Sequence, residues 1–166
     1  YANPLHEEML AEFLRSEGFS VVAESSALHP FAKWLPRAES AVIEAYLTPV
    51  LKQYLDDVSA CLDRGTLRVM TSAGGLVGRN DYRSVDSLLS GPAGGVVGAA
   101  AVAQRAGLSK LVALDMGGTS CDIAFIEGGA PLEVTESEVA RRRLDVPALD
   151  LTTISAGGGS IAWVDG

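Results

Sequence analysis

Leu111-Val112-Ala113-Leu114-Asp115-Met116-Gly117-Gly118-Thr119-Ser120-Cys121-Asp122-Ile123-Ala124 is an apolar run that ends in a carboxylate, bends, and returns. Two glycines and two hydroxyl residues make the bend, and a second carboxylate follows them. The pattern predicts a strand over 110–115, a tight turn at Gly117-Gly118 and a returning strand over 123–126. Glycines let backbone N–H groups approach phosphate oxygens with no Cβ in the way. Thr119 and Ser120 add hydroxyl donors. A strand-end aspartate suits hydrated Mg2+, which takes carboxylates, waters and phosphates together. Gly117, Gly118, Thr119 and Ser120 are therefore candidate phosphate-binding residues. Asp115 and Asp122 are candidate metal-binding and catalytic residues. The competing reading is a plain hairpin whose carboxylates face water.

On the N-terminal side of this stretch, Gly91-Pro92-Ala93-Gly94-Gly95 opens a small-residue helix reaching about residue 105, with Gly107 as its cap. Val96-Val97-Gly98-Ala99-Ala100-Ala101 suits close packing on a sheet, although a helix start also attracts anions. Asn3-Pro4 reads as a helix start, a capping side chain before a first-turn proline. Gly18 ends that helix, and 19–23 reads as a short strand. Residues 28–36 read as a loop containing Pro30 and Pro36. A long helix follows over 37–63, with an apolar stripe of Val42, Ala45, Tyr46, Val50, Leu51, Leu55 and Val58. Pro49 is expected to kink or split it. Residues 67–70 read as a strand, 71–80 as a glycine-containing loop and 85–89 as a helical turn. Gly74-Gly75 is read as structural.

On the C-terminal side, Glu127-Gly128-Gly129 is a second turn, and 132–134 and 149–154 read as strands. Ala156-Gly157-Gly158-Gly159-Ser160 is another glycine loop, either lining a ligand cleft or connecting strands. Residues 161–166 read as a strand entering a turn. Alternating strands and helices indicate an α/β domain.

Composition narrows the function. The chain has 166 residues, 48 % apolar and 20 % charged, enough for one packed domain. A net charge of −8 argues against nucleic acid and anionic membrane surfaces as partners. An anionic nucleotide still fits a local site of N–H groups and a cation. Cys61 and Cys121 follow no metal-ligand spacing, and His6 and His29 are too few for a zinc site. No apolar run approaches the length that spans a bilayer, and no signal peptide opens the chain. A cytoplasmic protein is expected. Both ends read as cut from a longer chain. Arg141-Arg142-Arg143 reads as a solvated charge run, Cys121 as an inert thiol and His6 as a local hydrogen-bonding residue. Asp165 is a strand-end carboxylate.

Asp115-Met116-Gly117-Gly118-Thr119-Ser120-Cys121-Asp122 resembles the Asp-Met-Gly-Gly-Thr-Ser-Thr-Asp signature of the hydantoinase A, 5-oxoprolinase and acetone carboxylase family. Asn3-Pro4-Leu5-His6-Glu7, the run from Ser90 through Gly95, and Ala156-Gly157-Gly158-Gly159-Ser160-Ile161-Ala162 resemble family motifs in the same order. The resemblance covers nearly the whole chain, so residues 1–166 read as part of a hydantoinase/oxoprolinase domain. It implies an actin-like, ribonuclease H-like α/β fold. This chain would be a partial lobe with a mixed sheet and flanking helices, and the first lobe's phosphate loop would lie outside it. It implies ATP and Mg2+ as cofactors, with Gly157, Gly158 and Gly159 lining the nucleotide cleft beside the hairpin. It implies hydrolysis of a cyclic amide, a hydantoin or 5-oxoproline-type ring, through phosphoryl activation of the carbonyl, and a second enzyme subunit. The alternatives are the ATP-binding subunit of a carboxylase and a non-catalytic nucleotide switch. Cys121 stands in place of the family's threonine, Thr71-Ser72-Ala73 in place of Gln-Ser-Asn, and Thr152 where a histidine is common. These departures bear on the substrate more than on the nucleotide.

Overall fold

The computed structural model describes residues 3–29, 33–139 and 142–164. Helix α1 is Leu5–Ser16. Asn3 Oδ1 accepts the Leu5 N–H at 3.1 Å, and Pro4 already has helical dihedrals, as a capping residue followed by proline should give. Gly18 closes the helix at φ 95°. The Phe19 N–H reaches back to Leu14 O and the Gly18 N–H to Arg15 O, a C-terminal cap that needs the left-handed region. The strand expected over 19–23 is absent. No ladder partner lies beside it among the described residues, and extended chain without a partner gains no ladder bonds. A short helix α2, Ser25–Leu28, follows instead.

Helix α3 runs Trp34–Ala60, starting earlier than expected. Pro36 sits in its first turn, where an N–H would have no helical acceptor. Pro49 lies within α3 and does not split it. One missing donor costs one bond, and α3 is held by its contacts with α2 and with a 3-10 turn at Ser84–Ser87. The expected apolar stripe is only partly a core face. Leu55 is buried, but Val42, Tyr46 and Val50 are exposed. Ala41 and Ile43 pack instead on Leu28, Val85, Leu144 and Val146.

Strand β1, Arg68–Met70, pairs antiparallel with β2, Leu76–Gly78. Part of the loop expected over 71–80 is thus a hairpin. Its turn closes through Thr71 N–H to Gly75 O at 2.9 Å. Gly74 has φ 79°, and a Cβ there would sit 2.8 Å from Val97 Cγ2. Ser72 ties this turn to the interior: its hydroxyl donates to Asp86 O and accepts from the Leu89 N–H.

Helix α4, Ser90–Arg105, covers one face of the main sheet. Ala93, Val96 and Ala100 pack on Ala124, Ile126 and Leu149. Small side chains let the helix approach the strands closely, so the packing reading of the glycine-alanine run holds. The main sheet joins β3, Lys110–Met116, to β4, Cys121–Glu127, with β5, Ala130–Pro131, against the far end of β4. Strand β10, Thr152–Ile154, lies on the other side of β4, giving the order β10-β4-β3. Two small ladders complete the fold: β6, Glu133–Val134, with β9, Ala148–Leu149; and β7, Ser137–Val139, with β8, Arg142–Leu144. The expected 149–154 strand is therefore two strands in different ladders, divided where the Asp150 N–H bonds Leu132 O. The α/β architecture is as expected. Where a mixed sheet was expected, every described ladder is antiparallel, both those closed by hairpins and the longer-range β10–β4 and β6–β9 pairs.

Residues 161–164 form no strand, and Ile161, Trp163 and Val164 are exposed. Arg141 and Asp165 lie outside the described residues. Arg142 pairs with Glu39 at 3.7 Å, in keeping with a solvated charge run. Among the described residues no helix is long and apolar enough to cross a membrane.

Candidate functional site

The bend at 117–120 follows directly from the β3–β4 register. Met116 pairs with Cys121 and Asp115 with Asp122, so the four intervening residues must turn at the end of the sheet. The Gly117 N–H closes the bend on Ser120 O at 2.9 Å. The N–H groups of Gly118, Thr119 and Ser120 make no bond to the described residues. Gly117, Gly118 and Thr119 are exposed. The hairpin therefore carries main-chain donors without partners among the described residues, on a bend whose first three residues are exposed.

The second glycine loop braces it from behind. A Cβ on Gly157 would lie 2.4 Å from both C and O of Gly118 and 2.5 Å from Thr119 N. Only glycine permits that backbone contact. The Gly158 N–H donates to Gly117 O at 2.9 Å and the Gly159 N–H to Gly118 O at 3.3 Å. The Gly157 N–H donates to Ser160 Oγ at 2.9 Å. The amides of Gly157, Gly158 and Gly159 are thus engaged within the protein. What they supply is placement: Gly158 and Gly159 hold the Gly117 and Gly118 carbonyls, and Gly157 packs against the Gly118–Thr119 peptide.

Asp115 and Asp122 stand directly opposite one another, so their side chains share a face of the sheet. Like charges in that arrangement repel unless something neutralises them. Thr153, opposite Asp122 on β10, donates its hydroxyl to Asp122 Oδ1 at 2.5 Å. Thr153 was not a candidate from sequence, because its neighbour is set by register across strands distant in the chain. The first turns of α4 face the same carboxylates: a Cβ on Gly95 would come 3.6 Å from Asp115 Oδ2. Between them lies a cavity of about 210 Å3 lined by Pro92, Gly95, Ala113, Asp115 and Asp122.

This donor set fits a hard cation held jointly with phosphate. It offers carboxylate oxygens beside open amides, and Mg2+ is typically bound by one or two carboxylates with the rest of its shell from phosphate and water. Among the described residues no His, Cys, Asp or Glu group forms a self-sufficient metal cage. Cys121 is buried at 2 % exposure, its Sγ 3.9 Å from Asp122 O, and so lies in the wall of the hairpin.

The first motif has a different duty. Glu7 accepts the N–H groups of Ser25 and Ser26 at 2.5 and 3.2 Å, capping α2 from α1. Partial burial pushes its carboxyl up, but hydrogen bonds from Ser26 and Ser25 together outweigh that and hold it below the ordinary value.

Comparison with known proteins follows the same outline. Residues 37–166 match the Hydantoinase/oxoprolinase family model. The 5-oxoprolinase of Saccharomyces cerevisiae is 41 % identical over 171 residues, spanning 100 % of this chain and 13 % of its own length. Caprolactamase subunit alpha of Pseudomonas jessenii is 34 % identical, spanning 98 % of this chain and 24 % of its own. The crystal structure of ATP-dependent caprolactamase from Pseudomonas jessenii superposes with a TM-score of 0.85 at 33 % identity, covering 98 % of this chain and 25 % of that one. Nucleotide-free acetone carboxylase gives 0.80 at 27 % identity, covering 93 % and 23 %. The motifs, the match over most of the chain and the shared fold agree: this chain belongs to the hydantoinase/oxoprolinase family.

Proposed function

We propose that this chain is the part of an ATP-dependent cyclic amide hydrolase that grips the nucleotide's phosphates. One observation carries the reading. The Gly118, Thr119 and Ser120 amides stand open at a sheet end, directly beside a facing pair of carboxylates. In this reading those amides and the Thr119 and Ser120 hydroxyls donate to phosphate oxygens. Gly117 closes the bend, and Gly157, Gly158 and Gly159 hold it in the cleft wall. Asp115 and Asp122 hold Mg2+ or orient the attacking group. Bound Mg2+ would neutralise charge developing on the phosphates.

An amide carbonyl is a poor electrophile. Moving the γ-phosphoryl from ATP onto its oxygen releases ADP and makes the carbon electrophilic. Water adds there, and the ring C–N bond breaks as the nitrogen takes up a proton. A second water hydrolyses the resulting acyl phosphate to carboxylate and phosphate. The chain's own contribution is alignment and charge stabilisation. The names of the relatives support a lactam such as 5-oxoproline or caprolactam as substrate, and the name "subunit alpha" supports a partner subunit. Because the chain spans 13 % to 25 % of these relatives, residues 1–166 are read as one portion of the domain, with the opposing phosphate loop elsewhere in the protein.

The test is ADP release by the full-length protein with a panel of 5-oxoproline, caprolactam and hydantoin. Lactam-stimulated release that falls at least about a hundredfold in Asp115→Asn supports the reading. No stimulation by any lactam overturns it. Stimulation by ketones alone would favour the carboxylase reading, for which the likeness to acetone carboxylase is the specific support.

A further inference from the structure

Asp122 has to keep a fixed orientation beside a like charge, and one side chain is placed to make it do so. We propose that Thr153 is a positioning residue: its hydroxyl locks the Asp122 carboxylate so that Oδ2 is left for the cation that accompanies the nucleotide. The inference rests on reading the hairpin as a Mg2+–nucleotide site.

Asp115, Asp122 and Thr153 occupy paired positions on β3, β4 and β10, and register partners share a face. Thr153 Oγ1 lies 2.5 Å from Asp122 Oδ1, a short charge-assisted bond. Asp122 Oδ2 has no hydrogen-bond partner among the described residues. A threonine suits this duty, since branching at Cβ restricts χ1 and keeps the hydroxyl from swinging. Without it, mutual repulsion would turn the Asp122 carboxylate away from Asp115. Thr153 itself is exposed on an edge strand. Its hydroxyl therefore fills no core, and the bond is made to a side chain rather than to the ladder. That separates a positioning role from a structural one.

The experiment uses the full-length protein, with Mn2+ replacing Mg2+ and a non-hydrolysable ATP analogue, and reads Mn2+ affinity by electron paramagnetic resonance. Thr153→Val keeps the branched shape favoured in strands and should weaken Mn2+ binding about tenfold. Thr153→Ser, which keeps the hydroxyl but loses the branch, should recover most of it. Asp122→Asn combined with Thr153→Val should bind no more weakly than Asp122→Asn alone, because the hydroxyl acts only through that carboxylate. Melting temperatures should match across the Thr153 variants, and Thr153→Ala repeats the measurement if the valine variant fails to fold. Wild-type affinity in Thr153→Val, an equal loss in Thr153→Ser, or additive losses in the double variant would overturn the assignment while leaving the nucleotide site standing. Absence of Mn2+–nucleotide binding in the wild type would instead remove the site and this inference together.

Discussion

Gly157 shows how a single missing methyl shapes the candidate site. Its Cα faces the Gly118 carbonyl so closely that an added Cβ would sit 2.4 Å from backbone atoms. Backbone cannot step aside as a flexible side chain can, so Gly157→Ala must push the two loops apart. The expected outcome is a loss of at least about 2 kcal/mol in stability, with nucleotide affinity falling in parallel; chemical denaturation and calorimetric titration check both. Gly128, which also sits in a turn but has nothing within 4 Å of its Cβ position, differs in kind: its constraint is φ 66° alone. Gly128→Asn should therefore cost well under about 1 kcal/mol, because asparagine tolerates that region. Both glycines were visible in the sequence as turn formers. That one is a contact point was not visible, since the contact joins segments some forty residues apart.

Among the elements, helices were more legible than short strands. Helix α1 announced both ends, through Asn3-Pro4 and Gly18, because capping is local chemistry. The strands at 137–139 and 142–144 carried no such signal; each exists only through its partner. For the same reason 19–23 looked like a strand and is not one. The stripe on α3 misled because apolar periodicity marks a face without saying which neighbour covers it. Element-level chemistry also explains Glu7, which joins α1 to α2 by accepting the Ser25 and Ser26 N–H groups. Glu7→Gln should destabilise the protein by about 1 kcal/mol near neutral pH, the usual scale of a lost cap. Its folded carboxyl titrates below the ordinary value. The stabilisation is therefore complete above the unfolded-state value and fades as pH falls through the lower folded one. Acid titrations of wild type and Glu7→Gln should converge at the acid end.

At the scale of the whole molecule, packing gathers polar groups that the sequence scatters. His29, Asp86 and Asp145 are buried, from three separate segments. Burial, then the nearby Arg83 charge, lowers the His29 pKa below its ordinary value, against the opposing pull of Asp86 and Asp145. Arg83 itself holds Asp86 through paired bonds of 2.8 and 3.0 Å and donates to Leu28 O. Folding thus favours neutral His29. Stability from this residue is full above the unfolded-state histidine value and is lost as pH drops through the depressed folded value. The melting temperature should fall as pH is lowered from about 7 to about 5, and His29→Gln should flatten that slope. A slope unchanged by His29→Gln would assign the effect to other groups.

The outline of the candidate phosphate cradle is drawn almost wholly in peptide atoms: an amide-lined bend braced by the amides of a second bend. Such an outline does not depend on which side chains surround it, and the cysteine at position 121 is buried at the start of the strand that leaves it. Proteins named for a lactam and for acetone share this fold, and a cradle of that kind would leave the chambers in front of it free to diverge. Diversity of chemistry in this lineage would then be written in side chains around a main-chain feature that has little room to vary.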